Sequence, residues 1–189
     1  MKYAMTTRRW WTVCSTVLMS LILSACAVQA LPPRAIVIGA HETLAVLPLH
    51  NATEAAYADR RAQAILLALL QQRGLKATLY PQPAPDNPLH ISTVPSASEA
   101  MQWARREGAT WALTGTVTEW RYKSGVDGEP AVGVTLQLIE VRSGEVVWSA
   151  TGARTGWGYQ ALAAVGQAQI DELLRGVQVR AAPAAEGRR

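Results

Sequence analysis

Apolar and polar positions in this chain follow two rhythms, one of period two and one near 3.6, and the switches between them mark out the elements. Thr43 to Leu49 is a short apolar run closed by Pro48 and His50, the pattern of a buried strand. Asn51 and Thr53 then offer caps, and from Ala58 onward Ala62, Ile65, Leu66, Leu69 and Leu70 recur at helical spacing until Arg73 and Gly74 supply a stop. Lys76 to Tyr80 reads as a second strand. Pro81, Pro83, Pro85 and Pro88 mark a long surface loop, with room for a short strand at His90–Val94. Ser96 or Ser98 caps a second helix running to about Glu107, with Ala97, Ala100, Met101 and Ala104 facing inward and Gly108 closing it.

Thr110 to Lys123 is rich in Thr, Trp, Val and Tyr, and after a loop at 124–130 the residues Val132, Val134, Leu136 and Leu138 alternate strictly. Ser143 and Gly144 make a turn into a third strand, Glu145–Thr155. A closing helix, Tyr159–Val177, carries Leu162, Val165, Ile170, Leu173, Leu174 and Val177 on one stripe. This order predicts an α/β (α+β) sandwich: a mixed sheet with a C-terminal antiparallel meander and about three helices. No internal repeat interrupts it, and a single domain spans 43–179.

The N-terminus has a different logic. Lys2, Arg8 and Arg9 precede an apolar run from Val13 to Leu23 and then small residues, the layout of a secretory signal over 1–25. The run is shorter than the roughly 20 apolar residues a membrane-spanning helix needs. Leu23, Ser24, Ala25 and Cys26 resemble a lipobox, in which the cysteine is acylated with chains such as palmitate and becomes the first residue. Cleavage after Ala30 is the competing site, and the Arg8–Arg9 pair is explained by a basic n-region without twin-arginine export. Residues 26–42, with Pro32 and Pro33, are expected to be a lipidated tether, and 180–189 a disordered tail of Ala, Pro, Glu, Gly and Arg.

Processing changes the charge balance and the cysteine count. Cys14 would leave with the signal and Cys26 would carry lipid, so no thiol remains for a disulfide. Setting aside Lys2, Arg8 and Arg9 with the signal and Arg180, Arg188 and Arg189 with the tail leaves 12 of the 18 basic residues. Setting aside Glu186 leaves 13 of the 14 acidic ones, so the body is near neutral and offers no basic footprint for nucleic acid. His41, His50 and His90 are scattered, without helical metal-ligand spacing or a Cys-x-x-Cys pair. Gly152, Gly156 and Gly158 match neither the dinucleotide nor the Walker spacing, and no nucleophile-elbow signature occurs. The chain is therefore expected to be no enzyme and to need no cofactor beyond covalent lipid on Cys26.

Aromatic placement is more informative. There is no Phe, yet Trp103, Trp111, Trp120, Trp148 and Trp157 follow the signal. Trp103, Trp111 and Trp148 suit sheet packing. Trp157, between two glycines and beside Tyr159 where a strand gives way to a helix, suits either an exposed ring at headgroup level or packing on the last helix. The loop from Ser124 to Pro130 presents Asp127 and Glu129, with Glu119 on the preceding strand. Such a loop is usually a solvated hairpin, but ring symmetry would repeat its acids around an opening.

The lipobox at Cys26, the segment LAVLPLHN from Leu44 to Asn51, and the stretch from Gly108 to Tyr159 ending in TGWGY resemble the PelC family, outer-membrane lipoproteins of Pel exopolysaccharide export. More distantly, Leu44 to Gly74 and Gly108 to Gly115 resemble the TolB N-terminal domain and CsgG-type lipoproteins. The closer resemblance implies a homo-oligomeric ring of about a dozen subunits on the periplasmic leaflet of the outer membrane, handing a cationic polysaccharide to an export β-barrel. It implies roles for Asp127 as a polymer-guiding acid and Trp157 as a functional, membrane-seating aromatic; Glu129, Glu119 and Tyr159 join them by proximity. A rival reading is a regulatory lipoprotein that activates a periplasmic cell-wall synthase, which calls for a long arm; the stretch 27–42 after Cys26, about 16 residues, reaches roughly 55 Å at most. A CsgG-type channel would need lipid-facing strands of about ten alternating residues, and the strands here are used in the domain's own sheet.

Overall fold

The computed structural model describes residues 29–30, 35–82, 95–125 and 128–180. Cys26, Asp127 and the strand expected at His90–Val94 lie outside the described residues. In chain order the elements are β1 (Gln29–Ala30), β2 (Ile36–Gly39), β3 (Thr43–Val46), β4 (His50–Asn51), α1 (Ala58–Gln72), β5 (Lys76–Leu79) and α2 (Ala97–Arg106). They continue with β6 (Trp111–Tyr122), β7 (Pro130–Glu140), β8 (Val146–Thr155), α3 (Leu162–Leu173), a 3-10 turn at Leu174–Gly176, and β9 (Val177–Arg180).

The main sheet runs β1-β8-β7-β6-β3-β5, with β4 also paired to β6. The β6–β7–β8 meander is antiparallel, while β3 pairs in parallel with both β5 and β6. This is the mixed α+β sheet with an antiparallel C-terminal half that the period-two rhythm predicts.

Because side chains alternate across a strand, the registers define cross-strand rows. On the inner face these are Leu113–Leu138–Trp148, Val117–Val134–Gly152 and Trp120–Val132–Arg154. Onto this face pack the buried stripes of α1 (Ala58, Ala62, Leu66, Leu70) and α3 (Val165, Ile170, Leu173). The two helices are tied by Arg73, whose guanidinium meets the Asp171 carboxylate at 2.7 Å. A smaller cluster on the opposite side joins Ala45, Ala112 and Val141 to Ala100 and Ala104 of α2. Trp103 sits at its margin, edge-on to Tyr80 with ring centroids 5.1 Å apart.

The expected helix α2 has the cap its sequence announces. Ser96 Oγ accepts from Glu99 N, and the Ser96 backbone N–H donates back to the Glu99 carboxylate at 2.8 Å. That backbone bond, then the side-chain bond from Ser96, holds the Glu99 carboxyl below its ordinary value. Its contribution to stability is therefore present above the ordinary carboxylate range and fades as pH falls through the lowered value.

Several boundaries differ from expectation. The segment assigned to a tether contributes two strands: β1 pairs with β8, and β2 pairs in parallel with β9 from Ile36–Val177 to Gly39–Arg180. Ile38 is fully buried there, so the fold begins before Thr43, and Arg180 belongs to a strand rather than the tail. The closing helix is shorter than Tyr159–Val177, because Val177 leaves the helix to pair with Ile36. Ala97 is exposed, not inward. The helix α1 starts from Tyr57 in the left-handed region without a side-chain cap. Asn51 and Thr53 instead brace the preceding turn, Asn51 donating to Ala55 O at 2.8 Å and accepting from Thr53 N at 3.0 Å.

Trp120, unassigned by the sequence pattern, is the largest fully buried side chain among the described residues, and α3 crosses it at Gly166. A β-carbon on Gly166 would collide with the far edge of the Trp120 ring, a rigid group held in the core. Alanine is otherwise favoured over glycine within a helix by about 1 kcal/mol. The overlap outweighs that preference, so Gly166→Ala should lower stability by about 1–3 kcal/mol in urea unfolding. An unchanged or higher midpoint would show that the helix does not rest on this ring.

Candidate functional site

The end of the sheet where β6 turns into β7 and β8 leaves for α3 gathers the residues with chemical or interfacial character. Tyr122 and Pro130 are the last paired residues of the β6–β7 hairpin. Gly156 N donates to Pro130 O at 2.8 Å, which brings the β8–α3 turn against the hairpin base. Gly156 is required by this approach, since a β-carbon there would run into Gln160 and Val165. The turn is closed reciprocally: Trp157 N donates to Gln160 Oε1 at 3.0 Å and Gln160 N to Trp157 O at 2.9 Å. A backbone fixed in this way holds the Trp157 ring outward, 70% exposed, with Tyr159 fully exposed beside it.

Tyr122 is a third exposed aromatic at this end, and sequence reasoning missed its part. The helix α3 begins at Ala161 without a side-chain cap of its own, and the Tyr122 hydroxyl accepts from Leu162 N at 3.1 Å. An acceptor borrowed from another strand thus satisfies one of the helix's free amides. The signal lay in the alternation: Tyr122 has the inward parity of Trp120 but sits one step past the core's edge, where its hydroxyl reaches the helix terminus. Lys123 adds a further tie, donating to Thr155 Oγ1 at 2.9 Å.

Two of the expected acids, Glu119 and Glu129, are not free carboxylates. Glu119 is 3.1 Å from the Arg121 guanidinium, and Glu129 is 3.9 Å from the Lys123 ammonium. These exposed pairs contribute little to stability, but they offset each other's charge. From Glu119 to Pro130 the chain holds Glu119, Asp127 and Glu129 against Arg121 and Lys123, an excess of one negative charge. Glu129 and the Trp157 turn are brought to the same end; Glu119 lies farther back, across from Gly133 on the outer sheet face.

The Trp readings divide as the sequence allowed. Trp148 is buried, and Trp111 packs against the main cluster. For Trp157, the exposed alternative is the one realised. Gln29 pairs with Ala153, two residues before the end of β8. Gln29, three positions after Cys26 in the sequence, thus lies beside the strand that leads to Trp157. Among the described residues no group of three His, Cys, Asp or Glu side chains is placed to hold a metal, and no helix is long and apolar enough to cross a membrane.

Comparisons with known proteins agree with this architecture. A family model described as peptidoglycan-synthase activator LpoB matches residues 90–153. No curated protein sequence matches. Among solved structures, the chain is similar to the PelC dodecamer from Paraburkholderia phytofirmans. A single-substitution form of it is 38% identical with a TM-score of 0.66, over 82% of this chain and 99% of that one. A second crystal form of the PelC dodecamer gives 36% identity and 0.67 over the same shares. Lipoprotein GNA1162 from Neisseria meningitidis, at 14% identity and a TM-score of 0.52 over 71% of this chain and 96% of its own, shares the fold. At this level of identity over nearly the whole of the solved relative, the chain belongs to the PelC family.

Proposed function

We propose that this protein is an outer-membrane lipoprotein, acylated on Cys26, that assembles into a periplasmic homo-oligomeric ring. The ring guides a cationic exopolysaccharide, the Pel polymer of biofilm matrix, toward its export β-barrel and performs no catalysis. The observation that carries this reading is the 38% identity to a dodecameric PelC over 99% of that chain.

The local geometry supports a seat on lipid. A strand that starts three residues after Cys26 is paired next to the end of β8, so a lipid anchor and the exposed Trp157 and Tyr159 rings share one end of the domain. Amphipathic rings are favoured at the headgroup level, and acyl chains contribute about 0.8 kcal/mol per buried methylene. A short leash and an aromatic edge together hold the domain close to the bilayer. The second reading, a synthase-activating lipoprotein, draws on the family model over residues 90–153. It requires a long arm, and here β1 and β2 take up part of the segment between Cys26 and Thr43.

The charge reading is narrower than three acids acting together. With Glu119 and Glu129 each beside a cation, the net negative charge of the hairpin equals one carboxylate, and Asp127 is the acid that the family resemblance assigns to polymer guidance. Repeated around a ring, one carboxylate per subunit still focuses a field that concentrates a polycation without holding any one sugar tightly, and salt weakens it.

Two outcomes test these assignments in cells that export the polymer. Asp127→Ala combined with Glu129→Ala should reduce secreted polymer severalfold, with the thermal midpoint of the protein unchanged; undiminished export would remove these acids from the mechanism. Trp157→Ala should also reduce export, and because the ring is exposed its stability cost should stay within about 0.5 kcal/mol. A much larger loss of stability would make Trp157 part of the packing instead.

A further inference from the structure

The outer face of the meander is the one large sheet surface that no helix covers among the described residues. Its rows are Thr114–Gln137–Ser149 and Thr116–Thr135–Thr151, followed by Glu119–Gly133–Ala153. Gln137, Ser149 and Thr151 are exposed, and Thr114, Thr116 and Thr135 are half-buried. The helix α2 covers this side only at the β3 end, over Ala45, Ala112 and Val141.

Two properties separate this band from ordinary solvated surface. It carries no charge: Glu119 and Arg121 stand at one end, and the six side chains of the Thr114 and Thr116 rows are uncharged. Charged residues are depleted at the centres of protein interfaces. Its hydroxyls are also partly satisfied within the face. Thr135 and Thr151 bond to each other at 2.8 Å, and Thr114 donates to Pro48 O at 2.9 Å. Groups already paired are not orphaned when water leaves, so covering them costs little.

The margin of the band is apolar. Val146, paired with Ile139, and Val147, the residue skipped where β8 slips against β7, are 52% and 43% exposed. Exposed apolar side chains grouped at a sheet margin mark a surface suited to cover by a partner.

We infer that this uncharged outer face of β6–β7–β8, with the Val146–Val147 margin, is one of the two surfaces through which each copy of the chain contacts a second copy. The occupant follows from the relatives, whose structures are dodecamers at 36–38% identity over nearly their full length. A cyclic assembly joins two different patches on each subunit, and this face is the one whose chemistry suits permanent cover. The inference rests on the ring reading and assigns a location to its contact.

The test uses the full-length lipoprotein extracted in mild detergent, sized by light scattering with detergent mass subtracted. The native protein should be a large closed oligomer. Thr151→Arg should reduce it to monomers or small species with an unchanged circular dichroism spectrum, while Gln72→Arg on the exposed side of α1 should leave the oligomer intact. A native oligomer that Thr151→Arg leaves at full mass would overturn the assignment of this face and leave the ring standing. A native protein that is monomeric at all concentrations would overturn the ring reading together with this one. Should Thr151→Arg fail to fold, Ser149→Cys serves instead: the assembled protein should react with a maleimide about tenfold or more slower than the denatured chain. Equal rates would overturn the proposal.

Discussion

Everything in this domain depends on how its meander disposes of two faces with only one pair of helices to cover them. The inner face is anchored where Trp120 lies under Gly166 of α3, a contact with no room for a side chain between ring and helix. That contact sets the height of α3 over the sheet. It also places the start of α3 where Tyr122 can cap it, and so fixes the turn that carries Trp157. With α1 and α3 committed to the inner face and α2 to the β3 end of the other, no helix among the described residues covers the outer rows. A buried ring on one side of the sheet thus determines both the aromatic end and the open face.

The two surfaces are chemically distinct. The aromatic end carries Tyr122, Trp157 and Tyr159 with the ionic pairs of the hairpin, a mixture suited to the boundary between lipid and water. The open face is uncharged and largely hydroxylic, suited to contact with protein. The chain belongs to the PelC family, whose solved relatives are dodecamers, and the proposed ring would use both surfaces, one toward lipid and one toward a neighbouring copy.

Much of this was legible in the sequence because it is local. The stripe of α1, the Ser96–Glu99 capping box and the alternation of Val132, Val134, Leu136 and Leu138 are each decided by neighbours a few residues apart. What was not legible depends on partners far along the chain. Nothing near Ile36 announces that it will pair with Val177, so a strand reads as tether and the final helix reads too long. Trp120 and Gly166 look ordinary until the helix crosses the strand. At the site, glycine-flanked Trp157 pointed to an exposed turn. The pairing of Glu119 with Arg121 and of Glu129 with Lys123 was implicit in the spacing and was missed, because acids were counted without their basic neighbours. Tyr122 escaped notice because its role belongs to a helix 40 residues away.

The account's central claim, that the end bearing Trp157 seats the domain on lipid, is tested most directly by tryptophan fluorescence of the lipidated protein in vesicles containing brominated phospholipid. Bromine quenches only rings at the bilayer, so the native protein should lose a component of its emission that Trp157→Phe lacks from the outset. Equal fractional quenching of the native protein and Trp157→Phe would place this end away from the membrane and contradict the account.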